Sequence, residues 1–257
     1  YVFVPASVEK GKLVGAANYN PVLVTVEGNY DEVNRLCAQV VRRYKWGFVN
    51  INLRPYYAEG SKTLGYEVAE QLGWRAPDCI VAPAASGLLF TRIWKGLEEL
   101  SMLGLIGPLN SHLFLSQAAG SAPIVNAFQA GSLHVNPLKP DTIVRSIAMG
   151  NPADGFYALR VARQSGGGAC AVTDEEAIAG VKLLAQTEGI FAEAAGGVVI
   201  GVLKKLAASG AIKKQELTVA FITGAGPRTQ EILSDIVQPF TVKPAIEAVE
   251  EIISVPA

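Results

Sequence analysis

The sequence is poor in the residues that build metal and disulfide frameworks. Its two histidines, His112 and His134, are too few for a histidine-rich metal site. The three cysteines, Cys37, Cys79 and Cys170, are odd in number, far apart and without a CxxC spacing. They argue against a disulfide scaffold or zinc framework and for a reducing compartment. Charge of one sign is also missing: 22 Lys and Arg against 23 Asp and Glu leave a net charge of −1. That balance gives no electrostatic footprint for nucleic acid or an anionic membrane. Apolar runs are interrupted before the ~18–20 residues that a membrane span needs. Neither a Walker A nor a GxGxxG motif occurs, so nothing supports nucleotide binding. No sequence repeat and no low-complexity linker are visible, and the sequence opens with neither an initiator Met nor a signal-peptide pattern. Tyr1-Val-Phe-Val-Pro5 reads as a buried strand running into a turn, so the expectation is that the chain begins inside a longer fold.

What is present is a core-forming composition. Half of the 257 residues are hydrophobic and 18% are charged, enough to bury one large domain or two lobes. Strand-like and helix-like segments alternate, which predicts a parallel sheet with helices on its faces, an α/β fold. Strands are expected at residues 22–26, 48–53 (extended), 79–82, 112–116, 190–192 and 218–223. Asp31 is read as capping a helix in which Val33, Leu36, Cys37, Val40, Val41 and Tyr44 recur at helical spacing. Ser61 opens another helix with Leu64, Val68 and Leu72 on one face. Thr173 and Glu176 have capping-box spacing ahead of a further helix. Other helices are expected from the turn after Pro83 to about residue 100, at 122–130 and at 198–208. The first ~50 residues suit a smaller lobe.

Small-residue turns recur where strands hand over to helices. Residues 142–155, TIVRSIAMGNPADG, have the look of a ligand wall: an apolar run followed by a Gly-Asn-Pro turn lets backbone approach a flat ligand. Ala85, Ser86, Gly87, Leu88 and Leu89 follow a buried strand. Exposed N–H groups, a hydroxyl and a glycine there make a phosphate cradle, or a plain strand–helix turn. Thr223 in Thr-Gly-Ala-Gly stands at a strand's carboxyl end, where it meets a ring nitrogen or satisfies its own turn. In residues 50–63, NINLRPYYAEGSKT, Arg54 offers a fork for a phosphate or carboxylate. Glu59 and Lys62 at i,i+3 pair by default, and Tyr56 and Tyr57 are read as packing residues. Glu193, before Ala-Ala-Gly-Gly, faces a ligand or caps the next helix.

Together NLRPYYAEGSKT, EQLGW, KPDTIVRSIAMGNPADG, TEGIFAEAAGG and the TGAG turn resemble the threonine synthases, pyridoxal-phosphate enzymes of fold type II (tryptophan-synthase-β-like). The likeness runs over nearly the whole chain. It implies conversion of O-phospho-L-homoserine and water to L-threonine and phosphate, with pyridoxal 5′-phosphate as the electron sink. It further implies that Ala85, Ser86, Gly87, Leu88 and Leu89 form the cofactor-phosphate loop. Ala148, Gly150 and Asn151 become the wall beside the ring, Thr223 the partner of the pyridine nitrogen, and Asn52 or Arg54 the contact for the substrate phosphate.

Two family segments have no counterpart here: the Ser-x-Lys-Asp-Arg-like motif that carries the Schiff-base lysine, and the Ser-Gly-Asn-type segment that cradles the ring hydroxyl. The resemblance therefore implies no catalytic residue in this chain, and a stretch that is inactive by itself. Residues 1–49 would be the remainder of a small α/β domain and 50–257 the large cofactor-binding domain. The expected partners are O-phospho-L-homoserine and a second copy of the chain or an N-terminal segment, with no nucleic acid and no membrane. The expected location is the cytoplasm, or a plastid for a plant protein. A related lyase such as a cysteate synthase, and a non-catalytic binding chain, are the alternative readings.

Overall fold

The computed structural model describes residues 1–49, 54–236 and 239–253. A first unit opens with β1 (Val2–Pro5), α1 (Lys10–Ala17), β2 (Leu23–Val26) and α2 (Tyr30–Tyr44). β1 and β2 pair in parallel, with Val2 opposite Leu23 and Pro5 opposite Val26. α2 buries Val33 and Cys37. Its N-cap is Asn29, not Asp31: Asn29 Oδ1 accepts from the N–H groups of Asp31 (3.0 Å) and Glu32 (3.1 Å), and Glu32 Oε2 accepts back from Asn29 N at 2.7 Å. Asparagine two residues earlier completes the reciprocal box, which frees the Asp31 carboxylate for another use.

A second unit carries a four-stranded sheet. After α3 (Arg54–Gly60) and α4 (Thr63–Gln71) come β3 (Cys79–Pro83), α5 (Leu88–Met102), β4 (His112–Ala118) and α6 (Pro123–Gln129). Then follow α7 (Gly155–Gln164), β5 (Gly168–Val172), α8 (Asp174–Glu188), α9 (Ala194–Ala208), β6 (Thr218–Ala220) and α10 (Ile246–Ile253). The strand order is β5-β4-β3-β6 and every pairing is parallel. Every residue of central β3 is buried, as expected of a strand covered on both faces. Alternation divides it: Ile80 and Ala82 join Phe90, Ile93 and Leu97 of α5 on one side, while Cys79 and Val81 join Val198, Val199 and Val202 of α9 on the other. Burying each such aliphatic side chain stabilises by ~1.5–3 kcal/mol.

Three expectations need correction. Of the residues 190–192 read as a strand, only Ala192 pairs, through an isolated antiparallel bridge to Ala225. β6 stops at Ala220, because the chain turns away to reach the bridge at Ala225. Residues 50–63, for which no helix before Ser61 is expected, contain the helix α3 at Arg54–Gly60. The Thr173–Glu176 capping box is formed as read. Asn50, Ile51, Asn52 and Leu53 lie outside the described residues, and with them most of the extended segment expected at 48–53.

Candidate functional site

All four strands of the larger sheet point the same way, so β3, β4 and β6 end at one edge, where open α/β sheets bind ligands. A cleft of about 720 Å³ lies there between the two units. One side is formed by the end of β1, the start of α1 and the start of α2. The other is formed by the turn after β3 and by residues 140–153, including Ala148, Met149 and Asn151.

The turn after β3 is built around Gly87, whose φ of +92° is left-handed. A Cβ there would stand 2.9 Å from Ala158 Cβ and 3.1 Å from Asp154 O, so only glycine lets α7 approach. Gly87 is also the N-cap of α5, and Ser86 Oγ accepts from Leu88 N at 3.2 Å. Ala85 and Ser86 line the cleft. Leu88 is buried and Leu89 packs against the core, so their side chains face inward and only their backbone belongs to the turn. The first-turn N–H groups of a 15-residue helix begin where the cleft ends, an arrangement suited to an anion.

The facing wall is held at both ends by carboxylates. Asp174, at the start of α8, accepts from Thr142 Oγ1 and from Ile143 N (3.0 Å). Leu138 N donates to Gly150 O at 3.0 Å, and a Cβ on Gly150 would collide with Leu138 O. At the far end Asp31 reaches across from α2. Burial pushes its carboxyl up from the usual aspartate range, opposed by the backbone N–H of Asn151, by Arg35 and by the N–H of Gly150. The side chain read as a helix cap thus bridges the small unit to the wall.

Thr223 lies past β6, at the same sheet edge, but is exposed and is not among the residues lining the cleft. Its turn is fixed by Glu193 N donating to Gly224 O at 2.9 Å. Glu193 occupies the N-cap of α9 without a side-chain capping bond; it is buried against Gly224. Arg54 begins α3 and Asn52 lies outside the described residues. Tyr56 and Tyr57, read as packing residues, are exposed, and Tyr57 lines the cleft. His112 Nδ1 is hydrogen-bonded to Ser165 O at 2.9 Å. Among the described residues no cluster of His, Cys, Asp and Glu is arranged to hold a metal ion, and no helix is long and apolar enough to cross a membrane.

Sequence reasoning passed over four groups that the fold brings into this cleft: Glu9, Lys12, Asp31 as a bridge, and Arg145. Nothing local marks them. Glu9 and Lys12 look like an ordinary i,i+3 pair, and Asp31 like a first-turn helix acid.

The chain resembles known proteins throughout. A family model described as pyridoxal-phosphate dependent enzyme matches residues 1–224. The threonine synthase of Methanocaldococcus jannaschii is 38% identical over 217 residues, which is 84% of this chain and 53% of that protein. That of Methanosarcina acetivorans is 36% identical over 255 residues, 98% of this chain and 62% of that protein. The chain therefore spans little more than half the length of these relatives. Among solved structures, diaminopropionate ammonia lyase from Escherichia coli superposes with a TM-score of 0.70 at 16% identity, covering 91% of this chain and 63% of that one. The processed form of threonine deaminase isoform 2 from Solanum lycopersicum gives 0.69 at 17%, with 91% and 65% covered. These two likenesses bear on the fold, which is fold type II. With its parallel sheets, its cleft at their carboxyl edge and a family match over residues 1–224, the chain belongs to the pyridoxal-phosphate dependent enzyme family.

Proposed function

We propose that the protein carrying this chain is a cytoplasmic threonine synthase, which converts O-phospho-L-homoserine and water to L-threonine and phosphate. The observation that carries this reading is the 38% identity to a threonine synthase over 84% of the chain. We read residues 1–49 as part of the small domain and 50–257 as the large one.

The residues present suit a flat, phosphate-bearing cofactor. A turn at Gly87 that excludes any Cβ, followed by the first-turn N–H groups of α5, would hold its phosphate. Ala148, Gly150 and Asn151 would lie against the ring, steadied through Asp31. Thr223 would meet the ring nitrogen through a neutral hydroxyl, which does not hold that nitrogen protonated as a carboxylate would. Pyridoxal phosphate, when bound, supplies an electron sink for carbanions.

The chain's own groups bind and orient: Arg54 and Asn52 toward the substrate phosphate, and the two walls to exclude water. The 257 residues contain no Ser-x-Lys-Asp-Arg motif. The lysine that lines the cleft, Lys12, stands 3.1 Å from Glu9 Oε2. This stretch alone is accordingly inactive, and activity belongs to an assembly that supplies the lysine from elsewhere, in the same polypeptide or a partner.

The test is phosphate release and threonine formation from O-phospho-L-homoserine by the intact cofactor-loaded protein. Turnover with that substrate supports the reading. A loaded protein that releases no phosphate from it refutes the reading.

A further inference from the structure

We propose that Lys12, held at the cleft by the buried carboxylate of Glu9, is a binding residue for a phosphate monoester, with Glu9 as its positioning residue. The class of ligand rests on the function proposed above; the charge arrangement is independent of it.

Glu9 is the N-cap residue of α1 with extended backbone (φ −64°, ψ 138°), yet its side chain makes no capping hydrogen bond. The side chain keeps 10% of its accessible surface. Both carboxylate oxygens are closed to water and neither accepts a hydrogen bond. A charge buried in that condition needs a counter-charge beside it. Lys12 supplies it, with Nζ 3.1 Å from Oε2.

The usual i,i+3 pair lies in solvent on both sides and contributes little. Here the two halves differ: the acid is inside, while the lysine side chain is 26% exposed and lines the cleft. Lys12 cannot swing into bulk water without leaving Glu9 uncompensated. An ammonium has three donors, so donors remain for a ligand.

The neighbouring residue fixes the location. A Cβ on Gly11 would lie 3.2 Å from Pro227 O and 3.7 Å from Arg228 O, so α1 is seated directly on the turn after Gly226. That seat brings Lys12 to the cleft, on the wall formed by the small unit. Arg145 and Ser86 line the same cavity from the large unit. The other acid lining it, Asp31, faces the N–H groups of Asn151 and Gly150. A doubly charged phosphate monoester therefore meets cations from both units, a charge-assisted arrangement stronger than neutral hydrogen bonds.

Binding to the intact protein by isothermal titration calorimetry tests this, first with inorganic phosphate. Lys12→Met is expected to weaken phosphate binding by about tenfold or more, and Lys12→Arg to stay within about threefold of the parent. Glu9→Gln is expected to weaken it several-fold, because the ammonium is released to solvent. Two matched pairs identify the source of the phosphate: pyridoxal 5′-phosphate against pyridoxal, and O-phospho-L-homoserine against homoserine. The pair whose phosphate-dependent difference shrinks in Lys12→Met carries the group that Lys12 holds.

Thermal unfolding of each variant is recorded alongside. Should Lys12→Met fail to fold, weakened binding in a folded Glu9→Gln supports the proposal. Phosphate binding by Lys12→Met at parental strength overturns the proposal. Binding by Glu9→Gln as tight as the parent, or tighter, overturns the role of Glu9. A parent protein that binds phosphate through Lys12 yet releases none from O-phospho-L-homoserine refutes the threonine synthase reading and leaves this inference standing.

Discussion

Replacing Lys62 by methionine should cost stability in a pH-dependent way that the surrounding charges specify. Lys62 Nζ stands 2.8 and 3.1 Å from the two carboxylate oxygens of Glu99 and 2.5 Å from Glu59. Tyr66 OH donates to Glu99 at 2.9 Å, and Lys95 stands 3.4 Å away. The Lys62 ammonium, first among these, holds the Glu99 carboxyl down at about 2 from 4.5. A shift of that size corresponds to an upper bound of about 3 kcal/mol.

The Glu99 side chain is 29% exposed, so water screens part of this. An exposed pair contributes ~0.2–1 kcal/mol and breaking a buried one costs ~3–5 kcal/mol. A loss of about 1–2 kcal/mol lies between these limits. Methionine keeps most of the stem volume, so the change is chiefly electrostatic.

A depressed carboxylate contributes stability above its unfolded pKa and loses it as pH falls through the folded value. The deficit of Lys62→Met should therefore be full at pH 6–8 and shrink between about pH 4.5 and pH 2. On the alkaline side, Glu59 and then Glu99 raise the Lys62 pKa, so its contribution persists to the normal lysine range and is lost only above it. Urea unfolding of the intact protein at pH 7 and pH 3 reads both numbers, and the midpoint of thermal unfolding at pH 7 should fall by about 2–8 °C. A deficit below about 0.5 kcal/mol at pH 7, or one undiminished at pH 3, would refute the reasoning.

Gly87→Ala should destabilise by roughly 1–2 kcal/mol for its left-handed backbone alone, and more for the contacts at 2.9 and 3.1 Å. It should also weaken pyridoxal 5′-phosphate binding measured by absorbance titration; unaltered affinity would remove the turn from the cofactor site. Asp31→Asn should be neutral or stabilising at pH 7. Burial raises the Asp31 pKa, so the charged form is the less favoured one, and the native state loses stability as pH rises through the folded value. The difference between variant and parent should vanish below pH 4 in unfolding curves, and an Asp31→Asn variant that is less stable than the parent by an amount growing toward neutral pH would contradict this.

The central architecture was legible in short stretches. Cys79-Ile-Val-Ala-Pro reads as a strand buried on both faces because an unbroken apolar run of that length has few other uses. Thr173 and Glu176 announce a helix start because capping is satisfied within four residues. The wall at 142–155 and the turn at 85–89 stand out through their small residues, and the fold brings Ala85, Ser86, Ala148 and Asn151 to one cleft. The end of β6 was read too long because β-rich residues continue beyond the point where pairing with β3 stops. Asp31 was read as a cap although Asn29 caps, since both residue types suit the role and geometry alone chooses.

The sequence by itself therefore determined the α/β class, the central strands and the small-residue turns, since each follows from period, capping and backbone freedom over a few neighbouring residues; β5, α1, α3 and α7 were not legible in it. Tertiary structure decided what faces what. Lys12 comes to the cleft only when α1 seats on the turn after Gly226, and Asp31 becomes a bridge only when α2 meets Gly150 and Asn151. Both contacts join chain segments more than a hundred residues apart, and no local pattern records the distance between them.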